Sequence, residues 1–225
     1  MRDLIIVGAG GFARETVEAV RAINEQYPTW NLLGLLDDNP DRYGKLVGGV
    51  PVVGPIESVH REPWAQVVLT TGRPDNYVSR PLIAARLGLP DARYATIVHP
   101  TATVGTTCEI GVGSVLLAHV DLTADVHVGR HVVVMPQVVL PHDAHVEDFA
   151  TLASGVRVGG ACHIEEAAYI GAGACLREGT RVGTRSIVGM GSVLLRDVPA
   201  KRKWLGSPAA DAGPAPLPEL MRKSA

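Results

Sequence analysis

The sequence predicts two structural units in series, a small α/β domain followed by a β-solenoid. Three observations carry that reading. An apolar run at the start, "DLIIVGAG", ends in the glycine-rich turn Gly8-Ala9-Gly10-Gly11-Phe12-Ala13. From Val98 to Leu194 every sixth residue is Val, Ile or Leu. Aromatic residues make up 4% of the chain beside 25 Gly and 16 Pro, a balance that favours many tight turns over long helices.

Bulk properties narrow the classes. At 225 residues the chain can bury one large core or two small ones. A formal net charge of −2 leaves no basic footprint, so nucleic acid is not an expected partner. Three cysteines cannot all pair, and Cys108 and Cys162 have the surroundings of core residues, so a reduced, cytoplasmic setting is expected. No apolar run reaches the roughly 18 residues of a spanning helix. "MRDLIIVGAGG" turns to glycine too early for a secretion signal.

Residues 1–92 read as strands alternating with helices, the signature of a parallel, Rossmann-like α/β unit. The first strand leads through G-x-G-x-x-A into an amphipathic helix from Phe12 to Asn24. "NLLGLLDD" forms a second strand ending in Asp37-Asp38, "AQVVLTTG" a third ending at Gly72, and Tyr77 to Leu87 a second helix. Glycines at the first turn let a ligand approach a helix N-terminus, whose free N–H groups suit phosphate. Asp37 lies further from the glycines than the acid of a dinucleotide fingerprint, and the unit is half a usual dinucleotide fold. A mononucleotide fits it better, and a turn used only for packing is the bland alternative.

Residues 93–198 carry the period of six. Seventeen positions, Val98 to Leu194, hold the aliphatic ladder without a slip, and the residue two before each, from Ala102 to Ser192, is Ala, Cys, Ser, Val or Thr. Short strands with one aliphatic and one small inward residue explain the pattern, and three hexapeptides per triangular coil stack residues 18 apart. Glycine following the aliphatic residue is expected to supply the φ values of the turns. Cys108 and Cys162 fall on inward positions and are expected to be buried and inert. Residues 199–225 are expected to form a tail.

"IGVGSVLL", "YIGAGACL" and "IVGMGSVLLRDVPA" resemble the hexapeptide-repeat acyltransferases, whose fold is a left-handed parallel β-helix. Together with "VGAGGFARE" and "LGLLDDNPDRYGKLVGGVPVVGP", nearly the whole chain is similar to the sialic acid O-acetyltransferase and bacillosamine-type sugar N-acetyltransferase family. The resemblance implies a homotrimer, a nucleotide-linked sugar in the α/β domain and acetyl-CoA on the β-helix. It implies that Gly8, Gly10 and Gly11 border the substrate's phosphates or sugar, and that Asp37 and Asp38 contact its nucleoside; Phe12, which stands where certain sugar-binding loops have a polar residue, and Gly72 are further substrate-site candidates.

The family's catalytic motif is similar to "LPHDAHVEDFATL", which assigns the general base to His142 and its orienting carboxylate to Asp143. An amine attacking a thioester must lose a proton, and imidazole takes one near neutral pH. Adjacent strand residues point to opposite faces, so Asp143 reaches His142 only if the chain turns there. For acetyl-CoA the resemblance points to Gly160 as a backbone donor to the thioester oxygen and to Ala172, Gly189 and Met190. Thr151 stands where some relatives have a second histidine, and Lys201 leads a basic cluster with Arg202 and Lys203. His127, His145 and His163, spaced by 18, should stack in one column; no metal is expected there. The expected activity is N-acetylation of a nucleotide-linked, UDP-type amino sugar. The alternatives are an O-acetyltransferase of a sialic-type acid, a zinc protein like the γ-type carbonic anhydrases, and a non-catalytic nucleotide or CoA binder.

Overall fold

The computed structural model describes residues 1–216. In the α/β domain, β1 (Arg2–Val7) is flanked by β2 (Trp30–Leu36) and β5 (Gln66–Leu69), all parallel. β4 (Val50–Gly54) continues the parallel sheet beyond β2, and the short β3 (Leu46–Val47) closes its edge as an antiparallel hairpin. The hairpin went unread in the sequence because β3 has only two residues, although Gly48-Gly49 is a two-residue turn signal. Both helices form where expected, α1 over Gly11–Gln26 and α2 over Ser79–Leu87. Tyr94, two residues past the expected boundary at 92, bridges to Val67.

The remainder is a left-handed parallel β-helix of two-residue strands on three faces. From Leu116 to Leu194 the ladder is almost wholly excluded from solvent and forms one core. Val98, Val104 and Ile110 are only partly covered, because the first coil has no coil before it. Cys108 shares this fate and is half-buried, whereas Cys162 is 1% exposed.

The glycines after the aliphatic residues correct a sequence expectation. None of Gly105, Gly111, Gly129, Gly159, Gly171, Gly183 or Gly189 has a positive φ. A Cβ at Gly129 would lie 2.7 Å from Asp148 N, and one at Gly171 2.5 Å from Met190 N, so these sites are small because the next coil stacks on them. The left-handed turn residues come two positions later and include His119, Asp125, His131, Asp143 and Phe149. Asp and His are among the residues that tolerate that region best without being glycine.

Residues 199–216 are no tail. Arg202–Gly206 continues one face, pairing Lys203 and Trp204 with Ile187 and Val188, and Ala209–Pro214 folds back antiparallel. Trp204 caps the last coil. The expectation of a tail or strap in "PAPLPELMRKSA" rests mainly on residues 217–225, which lie outside the described ones. Among the described residues no helix is long and apolar enough to cross a membrane.

Three faces make the prism unequal. On the face Ile97, Val115, Val133, Thr151, Tyr169 and Ile187, outward residues are mainly apolar, and the α/β domain docks there. The face with Glu109, His127, His145, His163 and Arg181 is polar and open. The third carries Thr103, Asp121, Val139, Arg157, Cys175 and Val193.

Candidate active site

His142 and Asp143 stand on the corner between the third face and the open face, both side chains more than half exposed. Asp143 has φ 59°, a left-handed turn that puts its carboxylate on the same side as the preceding imidazole. His142 Nδ1 lies 2.8 Å from Asp143 Oδ2. With Nδ1–H donating to that oxygen, Nε2 is left as the acceptor for a proton. Sequence adjacency, an obstacle on a straight strand, is thus resolved by the turn.

Gly160 is one coil above, and a Cβ there would lie 2.6 Å from His142 Cε1 and Nε2. A side chain at this position would force the imidazole to shift. Gly160 O accepts from Gly179 N, while no backbone hydrogen bond between coils engages the Gly160 N–H among the described residues.

The second part of the site is a cavity of about 480 Å³ in the α/β domain. Its wall includes Gly8, Gly10, Gly11, Phe12, Asp37 and Gly72, all expected from the sequence. α1 begins at Gly11 without a side-chain cap, so its first N–H groups face this space. A Cβ at Gly10 or Gly11 would meet nothing within 4 Å. Asp37 is already engaged: its carboxylate accepts from Ala9 N and Asn39 N, both at 2.9 Å, and so shapes the glycine loop. Arg42 donates to Ala9 O at the same loop. Asp38 lies in an adjoining cavity of about 370 Å³, with its carboxylate 2.9 Å from Arg86 and 3.2 Å from Ile56 N.

Sequence reasoning missed Arg42, Thr71, Asn76 and Ser79, which line the first cavity. It also missed Arg80, which is 1% exposed and joins the two units. Its guanidinium donates to His131 O at 3.0 Å, Thr71 O at 2.7 Å, and Phe149 O, Ala150 O and Thr151 Oγ1 at 2.5, 3.1 and 2.7 Å. Burial pushes its pKa down to about 9. The polar run "TTGRPDNYVSR" after a buried strand was the available signal. His131 packs beneath, stacked on Phe149 at 5.0 Å and edge-on to Tyr94 at 4.4 Å. Burial first, then the Arg80 and Arg130 charges, push its pKa down to about 4.

The residues expected around acetyl-CoA are not brought together in one chain. Thr151 is a correction: it is 5% exposed on the docked face, its hydroxyl held by Arg80, and presents nothing to a surface groove. Gly160 shares the corner of His142. Ala172, Gly189 and Met190 lie on the next corner, where Gly191 N donates to Ala172 O at 2.8 Å. Lys201 is on the third corner, and Arg202 is committed to Asp211, so the basic cluster is not a free trio.

The histidine column forms as expected. His127 and His145 stack with ring centroids 4.6 Å apart, and His145 and His163 are 4.8 Å apart.

A coiled prism with an exposed His–Asp pair beside a glycine, joined to an α/β cavity ending at a helix N-terminus, is the architecture of known hexapeptide-repeat acetyltransferases. Residues 3–74 match the PglD N-terminal domain family. The acetyltransferase domain of PglB from Neisseria gonorrhoeae is 28% identical, with a TM-score of 0.81, over 94% of this chain and 100% of that one. A histidine-to-alanine variant of GDP-perosamine N-acetyltransferase from Caulobacter crescentus, solved with CoA and GDP-perosamine, is 27% identical with a TM-score of 0.80, over 94% and 97%. The PglB domain in complex with acetyl coenzyme A is 25% identical with a TM-score of 0.63, over 93% and 98%. No curated protein matches the chain. The chain is thus similar over nearly its whole length to bacillosamine-type nucleotide-sugar acetyltransferases.

Proposed function

We propose that the protein transfers an acetyl group from acetyl-CoA to the amine of a nucleotide-linked sugar, with His142 as the general base. The observation that carries this reading is the His142–Asp143 pair over Gly160: one ring nitrogen satisfied, the other free, and a backbone N–H one coil away. The amine nitrogen attacks the thioester carbonyl, its proton passes to His142 Nε2, and the oxygen gains charge beside Gly160 N–H. The C–S bond then breaks, and the imidazolium returns the proton to the departing CoA sulfur. Transfer is direct, since His142 is paired with Asp143 and with no cysteine or serine nucleophile among the described residues.

The glycine loop and the start of α1 hold the nucleotide's phosphates in a cavity also lined by Asn76 and Ser79. The sequence resemblance favours uridine as the base; GDP-perosamine in the Caulobacter relative makes guanosine the competitor. We assign the active form as a homotrimer in which the Ala172–Met190 corner of one subunit meets the His142–Gly160 corner of the next. The separation of these residues on two corners of one prism supports that seam.

The test is release of CoA thiol from acetyl-CoA with UDP-, GDP- and dTDP-linked amino sugars, alongside thermal shift with each ligand. Thiol release with one of these sugars, and stabilisation of roughly 2.7 kcal/mol by it at a hundred times its Kd, is the expected result. Release with a free sialic-type acid and none with any nucleotide sugar would move the assignment to O-acetylation.

A further inference from the structure

The open face carries a constellation that acetyl transfer does not use. Parallel pairing sets His145 directly beside His163 on neighbouring coils. Glu147 joins them from the corner, and the ligand atoms of the three residues all lie within 4.8 Å of one another. His163 Nε2 is 2.6 Å from Glu147 Oε1, while Glu147 Oε2 accepts from Glu166 N at 3.0 Å. A backbone N–H thus orients the carboxylate, as outer-shell groups orient metal ligands. The ring of His145 has no hydrogen-bond partner among the described residues. Beside the cluster is a cavity of about 350 Å³, walled in part by His127, Glu147 and Glu166, with room for water on an open coordination position.

Glu147 is not required by the fold. The equivalent positions on the same face are Gly111, Gly129 and Gly183, and only Glu165 departs from glycine as Glu147 does. Glu165 is bound to Arg181 and Thr184, leaving Glu147 as the carboxylate turned toward imidazoles. The sequence reading weighed the histidine column alone; the carboxylate from the corner changes the donor set to two nitrogens and one oxygen.

We propose that His145, Glu147 and His163 form a binding site for one divalent transition-metal ion of the zinc type. Two imidazoles and a carboxylate are a recognised set for zinc, with bonds near 2.0–2.2 Å. Parallel pairing of neighbouring coils already fixes the two histidines side by side. Imidazole ligands favour zinc, copper and nickel over magnesium or calcium. A bound ion would tie two successive coils together three residues past His142.

The test is equilibrium dialysis of chelator-stripped, tag-free protein against Zn²⁺, with bound metal counted by mass spectrometry and melting followed in parallel. The expected result is one Zn²⁺ per chain with a raised Tm, and loss of both in His163→Ala and in Glu147→Gly. The glycine variant restores the residue used elsewhere in the column, so it keeps the test valid if His163→Ala fails to fold. No retained zinc in the unaltered protein, or zinc retained equally in Glu147→Gly, would overturn the site.

Discussion

Two faces of the same prism follow one inward code and have opposite outward chemistry. On the docked face Val115, Val133 and Thr151 are buried under the α/β domain. On the open face the matching positions are His127, His145 and His163, partly or largely exposed. The hexapeptide rhythm therefore specifies the scaffold and leaves the outward residues free to choose a function. Where they are apolar, a domain docks; where they are ionisable, the face stays open.

The largest effect should come from breaking the docked side. Arg80→Ala removes donors from five acceptors and leaves four backbone carbonyls without that partner. We expect a loss of about 4 kcal/mol in urea unfolding, with the two units melting separately.

Acid should attack the same junction. His131 is neutral in the fold, with a pKa near 4, and faces Arg80, Arg130, Asp91 and Asp148. The unfolded chain takes up a proton near pH 6.5 and the folded one does not until about pH 4. Its contribution is therefore complete above pH 6.5 and is lost as pH falls toward 4, by about 3 kcal/mol in all. Unfolding curves across that range should show the slope, and His131→Asn should flatten it.

Changes at the open corner should alter rate rather than stability. Gly160→Ala puts a methyl group against the His142 ring and should lower kcat about tenfold, with Tm nearly unchanged. Asp143→Asn should cost less, about threefold, because the pair is exposed and water can replace part of its influence. A large Tm loss in either variant would erase the distinction between the two sides.

Much of this was legible in the sequence. The ladder from Val98 to Leu194 announced the solenoid because coil stacking tolerates no slip, and "GAGGFA" after a strand announced the glycine loop that lines the α/β cavity. Reading outward residues at intervals of 18 would also have exposed the docked face, since Ile97, Val115, Val133 and Ile187 are apolar without being inward. Arg80 was legible only as part of the polar run "TTGRPDNYVSR": a charged residue in a helix reads as solvated, and the fold shows the carbonyls that converge on it. Thr151 was misplaced for a related reason. Motif alignment gives a residue's position along the chain, while the docking of another domain decides whether that position reaches solvent. The roles of the glycines were likewise misjudged, since inter-coil spacing has no signature in one hexapeptide.

The most direct test of the central claim, that the open corner is the catalytic one, is steady-state turnover of His142→Ala at saturating acetyl-CoA and sugar nucleotide. We expect kcat to fall at least about a hundredfold while the melting temperature stays at that of the unaltered protein. Turnover close to the original, in a folded variant, would contradict the assignment.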